Sequence, residues 1–387
     1  MAKKASRRKA ASTEEAVTGD YNFFVREARK VEGVSIKSAA EMRDPDTNKS
    51  GSVSLDHDLV VPFPAGRITE VYGPNGSCKT TLVLEVAGQK LLMGQHVLYV
   101  NMERNLNRSL VETVRTIRPF MEEQGSEECL LHIAEAPNGE AAFELIRKFA
   151  AQFPGSMTIL DSIDASQPEA VLSGEIGENK VGNLAKLLSD AMRKLITALS
   201  DNNVTCVLVN QQRNKIIAYG DPRTTSGGDA VPYYASQRIE LMKPGSKQQL
   251  VNADGERIGV EIRYKVKKNK CAPDGMEGSF PILFGYGIWR EKELIQKALE
   301  FGVLSFGGSG GKQVILPRID SETMEPKVDE NGEQIVLKMK QAKAWQRLLM
   351  DKTLTDWLSI EVGKLMEPDH YSAVNSMFEE EDEVLDA

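Results

Sequence analysis

Cysteine is scarce in this chain. Its 387 residues hold four, Cys78, Cys129, Cys206 and Cys271, and no two of them form a C-x-x-C pair. That scatter argues against a disulfide frame or a zinc site and for reduced thiols in a cytosol. Long apolar runs are missing too: none approaches the ~20 residues that a membrane-spanning helix needs. The opening residues, Met1-Ala2-Lys3-Lys4-Ala5-Ser6-Arg7-Arg8-Lys9, are basic but lack the apolar core of a signal peptide. A cytoplasmic protein without membrane contact is therefore expected. An excess of positive charge is also absent. The net charge is −8, so the molecule as a whole does not advertise nucleic-acid binding. No internal repeat is visible.

What is present fits a globular protein. Hydrophobic residues make up 41% and charged residues 27%, and the length allows two or three domains. Charge is uneven along the chain. Residues 1–9 are basic, and Glu379-Glu380-Glu381-Asp382-Glu383 is an acidic block. Such blocks are usually disordered, and taken alone each reads as a solubility feature.

One stretch organises the rest. Ile68 to Tyr72 is a β-branched strand, Gly73-Pro74-Asn75-Gly76-Ser77-Cys78 a small-residue loop, and Lys79-Thr80-Thr81 opens an apolar helix running to about Met93. Strand, loop and helix in that order make a nucleotide phosphate site. Loop N–H groups and the helix N-terminus face the anion, and a lysine adds charge. The expected spelling is G-x-x-x-x-G-K-[ST]. Cys78 stands at the second glycine. If that position needs positive φ, cysteine there costs on the order of 1–2 kcal/mol. Judged alone, the stretch also fits an ordinary strand–turn–helix with Lys79 merely solvated.

Further along, His96 to Glu103 reads as a buried strand ending in a carboxylate, and Asn105 to about Phe120 as helix. Leu130–Ala134 reads as a short strand and Asn138–Gln152 as helix. Met157 to Ser162 is an apolar strand carrying Asp161, which fits a Walker B carboxylate beside Thr80, holding the water shell of Mg²⁺. A loop at 173–182 contains three glycines. Leu184, Leu187, Leu188, Ala191, Met192, Leu195, Ile196 and Leu199 then form one helical stripe, with Lys186, Ser189 and Arg193 on a shared polar face. The plain reading of that face is solvation.

Thr205 to Gln211 is the next buried strand. The stretch 212–228 follows, with neither helical nor strand pattern, and a loop of that length is commonly functional or disordered. Arg213, Lys215 and Arg223 can meet phosphates, and Ile216, Ile217 and Tyr219 beside them suit unstacked bases. Ser236–Met242, Ile258–Val266 and Ser279–Phe284 read as antiparallel strands, with the basic run Lys265, Lys267, Lys268 and Lys270 between the last two. The expected fold is α/β, a mainly parallel sheet with antiparallel additions. Four regions are expected: an N-terminal segment (1–50, with a helix from Tyr21 to about Lys30), a core (51–288), a small C-terminal α+β domain (289–376, helical at Glu291–Phe301 and Ala342–Met366, with a hairpin-like segment near Asn331-Gly332) and an acidic tail (377–387).

These residues resemble the RecA family of homologous recombinases over roughly residues 50–305. Glu175-Ile176-Gly177 and Asp190-Ala191-Met192-Arg193-Lys194-Leu195 look like that family's first DNA loop and the helix behind it. Asn210-Gln211, Arg213, Lys215, Gly220, Pro222, Thr224-Thr225 and Gly227-Gly228 look like its sensor strand and second DNA loop. Val266-Lys267-Lys268-Asn269-Lys270 matches its lysine-bearing strand end.

The resemblance implies a P-loop ATPase core using ATP and Mg²⁺. Gly73, Pro74, Asn75, Gly76, Ser77, Cys78, Lys79, Thr80 and Thr81 would hold the nucleotide, with Thr80 and Asp161 at the metal. Glu103 would activate the attacking water. Gln211 would sense the terminal phosphate. Lys268 and Lys270 would reach the nucleotide of a neighbouring protomer. Lys186, Ser189, Arg193, Arg213, Lys215, Tyr219, Ser226, Gly227 and Gly228 would line a single-stranded DNA path. The implied activity is filament formation on single-stranded DNA, pairing with homologous duplex and strand exchange, with DNA-stimulated ATP hydrolysis. The N-terminal segment would dock on the next subunit, and the acidic tail would compete with DNA for basic surface. Single-strand-binding and mediator proteins are further candidate partners.

The chain departs from the family at Cys78, at Leu110 (an aromatic over adenine in relatives), in a second loop one residue shorter before Tyr219, and at Asp229 and Pro232. A phage or divergent source, acting in a host cytoplasm, is compatible with them. A hexameric helicase on the same core and an ATP-binding filament protein with little hydrolysis remain as alternatives.

Overall fold

The computed structural model describes residues 21–28, 30–31, 42, 44–121, 129–173, 182–214, 223–252, 254–308 and 311–366. The chain divides into two compact units, residues 1–44 and 45–387. In the first, helix α1 (Tyr21–Ala28) exposes Phe23 and Phe24. The basic opening residues, Glu175-Ile176-Gly177, Lys215, Tyr219 and the acidic tail lie outside the described residues.

The second unit begins on buried polar anchors. Asn48 donates to Phe63 O and Thr205 Oγ1, each at 2.7 Å. Ser52 caps helix α2 (Val53–Leu59) by accepting from Leu55 N. Strand β1 (Ile68–Gly73) leads into helix α3 (Lys79–Leu92), which is followed by β2 (Val97–Asn101). The chain continues through α4 (Arg108–Glu112), β3 (Leu131–Ala134), α5 (Gly139–Gln152), β4 (Met157–Asp161), α6 (Glu169–Leu172), α7 (Asn183–Asp201) and β5 (Thr205–Asn214). Then come β6 (Arg223–Thr225), α8 (Ala230–Tyr234), β7 (Gln237–Leu241), β8 (Gln249–Val251), β9 (Arg257–Asn269), β10 (Glu277–Leu283) and β11 (Gly287–Ile288).

Among the described residues these strands form one eleven-stranded sheet, ordered β11-β10-β9-β7-β1-β5-β4-β2-β3, with β6 added to β5 and β8 to β9. Strands β1, β2 and β4 are buried at every residue, as expected for parallel strands covered on both faces. One face packs Val71, Val97, Tyr99 and Val209 against α3. The other packs Leu98, Val100, Leu160 and Leu208 against α5 and α7. In α7 the expected stripe is buried at Leu188, Ala191, Met192, Leu195 and Leu199, whereas Ile196 is exposed.

Several expectations are corrected. The segment 105–120 is no continuous helix: α4 ends at Glu112, and a 3₁₀ turn (Arg118–Phe120) carries Pro119. Arg115 N leaves the helical ladder to bond Tyr286 O at 3.0 Å. Strand β2 stops at Asn101, so Glu103 sits on the turn beyond it, where Met102 N and Glu103 N bond Asp161 O. Strand β5 runs on to Asn214 and pairs antiparallel with β6, so both flanks of the 212–228 stretch are a β-ladder, with Arg213 opposite Thr224. Strand β7 runs parallel to β1, because the crossover through α8 returns the chain to the start of the sheet. Lys265, Lys267 and Lys268 lie within β9 itself.

The region after β11 forms its own core. Helix α9 (Arg290–Glu300) and a three-stranded antiparallel sheet, β12 (Ser305–Gly307), β13 (Gln313–Pro317) and β14 (Val336–Lys340), enclose Leu294, Leu304, Leu316 and Leu358. The expected helix 342–366 is two, α10 (Gln341–Met350) and α11 (Lys352–Met366). Asp351 separates them, its carboxylate accepting from Leu354 N at 3.1 Å. A turn at Asp329–Gly332 bears out the hairpin-like reading.

Candidate functional site

The phosphate-type loop lies at the C-terminal end of β1. Gly73 has no room for a side chain: a Cβ there would lie 2.2 Å from Leu241 O. Gly76 has φ +75°, and Cys78 has φ 60° and ψ 31°. The position therefore does require the left-handed region, and the cysteine adopts it. Its side chain is half-buried against the α3-side core, and burial pushes the thiol pKa up. Ser77 Oγ donates to Pro74 O at 2.8 Å, and Lys79 Nζ donates to Gly73 O and Pro74 O at 3.0 Å each. Burial lowers the Lys79 pKa, opposed by the charges of Asp161 and Glu103.

Two carboxylates converge beside it from neighbouring strands. Asp161 Oδ2 accepts from Thr80 Oγ1 at 2.9 Å and from Tyr99 OH at 2.5 Å. Its burial raises its pKa, and those two donors pull it back. Glu103 Oε1 accepts from Ser162 Oγ at 2.6 Å and Gln211 Nε2 at 3.0 Å, while Asn105 Nδ2 donates to Oε2 at 2.7 Å. Thr80 and Asp161 side by side at a helix N-terminus are hard oxygen donors, which suit a Mg²⁺ ion shared with phosphates.

A second cluster lies two residues further along β5. Arg213 donates to both carboxylate oxygens of Asp164, at 2.6 and 2.7 Å, and Ser226 Oγ donates to Asp164 Oδ1 at 2.6 Å. Gly227 (φ +91°) and Gly228 (φ +71°) press onto α7. A Cβ on Gly227 would lie 2.2 Å from Leu188 Cδ1, and one on Gly228 3.3 Å from Ala185 Cβ. That places this turn against the helix bearing Lys186, Ser189 and Arg193. On α7, Lys186 is exposed, Ser189 Oγ donates to Ala185 O, and Arg193 donates to Asp190 Oδ1 and Ser189 O.

Asn210 ties the second cluster to β1. Its amide donates to Glu70 Oε1 at 2.8 Å and to Ser226 O at 3.0 Å. Glu70 in turn pairs with Arg238. Tyr99, Ser162, Asp164, Glu70 and Arg238 join these clusters without a sequence motif to mark them. The available signals were faint: a hydroxyl in an apolar strand, and polar residues just after Asp161.

Lys268 and Lys270 are not brought to the loop of their own chain. The register sets Arg238 opposite both Glu70 and Lys268, and Lys270 N bonds Ser236 O. Lys268 is thus level with Glu70, three residues before Gly73, and Lys270 is level with the start of β1. Lys268 Nζ donates to Pro232 O at 2.6 Å and Tyr233 O at 3.0 Å. Its pKa is lowered first by burial and then by Lys270 and Arg238.

Fold and site together define an α/β protein of the strand–loop–helix phosphate-site class, with a second polar cluster at the same end of the central strands. The model of the RecA N-terminal domain matches residues 30–289. Protein RecA of Porphyromonas gingivalis is 36% identical over 274 residues, covering 70% of this chain and 76% of the relative. Protein RecA of Chlorobium chlorochromatii is 37% identical over 262 residues (67% and 70%), and that of Thermus thermophilus 34% over 266 (68% and 74%). The chain belongs to the RecA family of recombinases. Among the described residues no helix is long and apolar enough to cross a membrane.

Proposed function

We propose that the chain is an ATP-dependent DNA recombinase that assembles on single-stranded DNA, pairs it with homologous duplex and exchanges strands in the cytoplasm. ATP binds at 73–81, with Lys79 swinging from the loop carbonyls to the phosphates. Thr80 and Asp161 would hold Mg²⁺, which when bound would offset phosphate charge. Glu103 accepts the proton of the attacking water. Gln211 reports the terminal phosphate. Lys186, Ser189, Arg193, Arg213, Lys215, Tyr219 and 226–228 carry the DNA path. Lys268 and Lys270, set back along the strands from Gly73, serve the nucleotide of an adjacent protomer.

One observation carries this reading. A single strand, β5, holds Gln211 against Glu103 and, two residues on, Arg213 against Asp164. A change at the phosphate end is thereby transmitted along rigid backbone to a basic residue suited to DNA. ATP turnover with and without single-stranded DNA, alongside a strand-exchange assay, tests it. DNA-stimulated turnover and exchange, both lost in Lys79→Ala, are expected. Wild-type exchange by that variant would sink the reading.

A further inference from the structure

Strand β2 places Val97, Tyr99 and Asn101 alternately on the face covered by α3. Packing there calls for apolar side chains, and Val97 supplies one. Tyr99 is 1% exposed, so its hydroxyl is buried and must find a partner. That partner is Asp161 Oδ2, which Thr80 Oγ1 also meets. Both donors converge on one carboxylate oxygen, and among the described residues none reaches Oδ1. Asn101 lies opposite Asp161 in the β2–β4 register, is 2% exposed, and keeps its Oδ1 buried without a hydrogen-bond partner. The wall behind the metal side of the site is thus polar where the strand's alternation calls for an apolar one.

We propose that Tyr99 is a positioning residue of this site, its hydroxyl holding Asp161 in one rotamer so that Oδ1 is presented to the hydrated magnesium ion, with Asn101 completing the polar wall. This rests on the nucleotide-site reading above. Tyr99 touches neither nucleotide nor metal; it acts through Asp161, as outer partners of metal ligands do elsewhere. Two fixed donors on Oδ2 remove the rotational freedom that the carboxylate would otherwise lose on meeting the cation.

The test is a Mg²⁺ titration of binding of a fluorescent ATP analogue to the full chain, with metal-free binding measured alongside. Tyr99→Phe removes one oxygen and keeps the ring. It is expected to raise the Mg²⁺ needed for half-saturation roughly tenfold, the lower end of the usual effect of outer partners. Metal-free nucleotide binding stays unchanged. Tyr264→Phe is the control, because Tyr264 OH donates to Asp58 Oδ2 at 2.7 Å and lies over Gly278 of β10, on the far side of β9 from β1. It should lower the unfolding midpoint without moving the Mg²⁺ midpoint. Equal Mg²⁺ midpoints for Tyr99→Phe and wild type would overturn the inference, as would an equal shift in Tyr264→Phe. A wild-type chain without any Mg²⁺-dependent nucleotide binding would overturn the nucleotide reading as well.

Discussion

Gln211 and Glu103, 108 positions apart in the chain, meet at 3.0 Å between Nε2 and Oε1. The amide lies within β5 and the carboxylate on the turn after β2, two places away in the sheet. Glu103→Gln is expected to lower the ATP turnover rate by roughly 10²–10⁴-fold, the usual worth of a positioned base. Gln211→Ala should leave nucleotide affinity intact and abolish stimulation by single-stranded DNA. Steady-state rates with and without DNA check both.

Asp164 holds Arg213 in a two-pronged ion pair. Asp164→Asn should free that guanidinium for phosphate. Affinity for single-stranded DNA is expected to rise at low salt, and the slope of log affinity against log salt to steepen by about one contact's worth, ~0.7. Arg213→Ala should do the reverse. Fluorescence anisotropy over a salt series is the measurement.

Cys78 occupies the left-handed region as a non-glycine residue. A β-branched side chain fits there worse than an unbranched one. Cys78→Val is expected to cost about 2 kcal/mol in urea unfolding. Cys78→Gly should relieve backbone strain, offset in part by greater freedom of the unfolded chain. If Cys78→Gly changes neither nucleotide affinity nor turnover, the thiol merely fits.

Glu85 on α3 is buried, and its pKa is pushed up from 4.5 to about 7. Burial is the main cause, and Glu291 adds to it. Ile288 N, Thr116 Oγ1 and Arg115 oppose it. The folded chain therefore holds this proton more tightly than the unfolded chain. The stability it contributes is complete below pH 4.5 and is lost as pH rises through about 7. Glu85→Gln keeps an acceptor for Ile288 N and a partner for Thr116. It should match wild type at low pH and exceed it above neutrality, in unfolding curves recorded across that range.

Lys268 is level with Glu70 in the β1–β7–β9 register, whereas Lys79 lies beyond the loop that follows Gly73. If both serve one nucleotide, they come from different protomers. Lys79→Ala and Lys268→Ala should each be inactive alone, and a mixture should recover part of the DNA-stimulated turnover. No recovery on mixing would count against action in trans.

Much of this protein follows from local sequence. Period-2 and period-3.6 patterns, small loop residues and the cap at Asn138, which accepts from Ala141 N at 2.8 Å, depend on neighbours a few positions away. The strand–loop–helix at 68–92, the stripe of α7 and the strand-end position of Asp161 were legible for that reason. The placement of Thr80 beside Asp161 followed from knowing what such a loop holds.

The tertiary structure decided what local patterns leave open. Whether β7 runs parallel depends on where the α8 crossover delivers the chain. The helical pattern at 105–120 yields to a backbone bond from Arg115 N to Tyr286 O, 171 positions away in the chain. Tyr99 reads as one more apolar strand residue until sheet order sets it beside Asp161, and Arg213 reads as a free cation until Asp164 claims it. Strand order and register are set by packing of whole faces, which no short window of sequence contains.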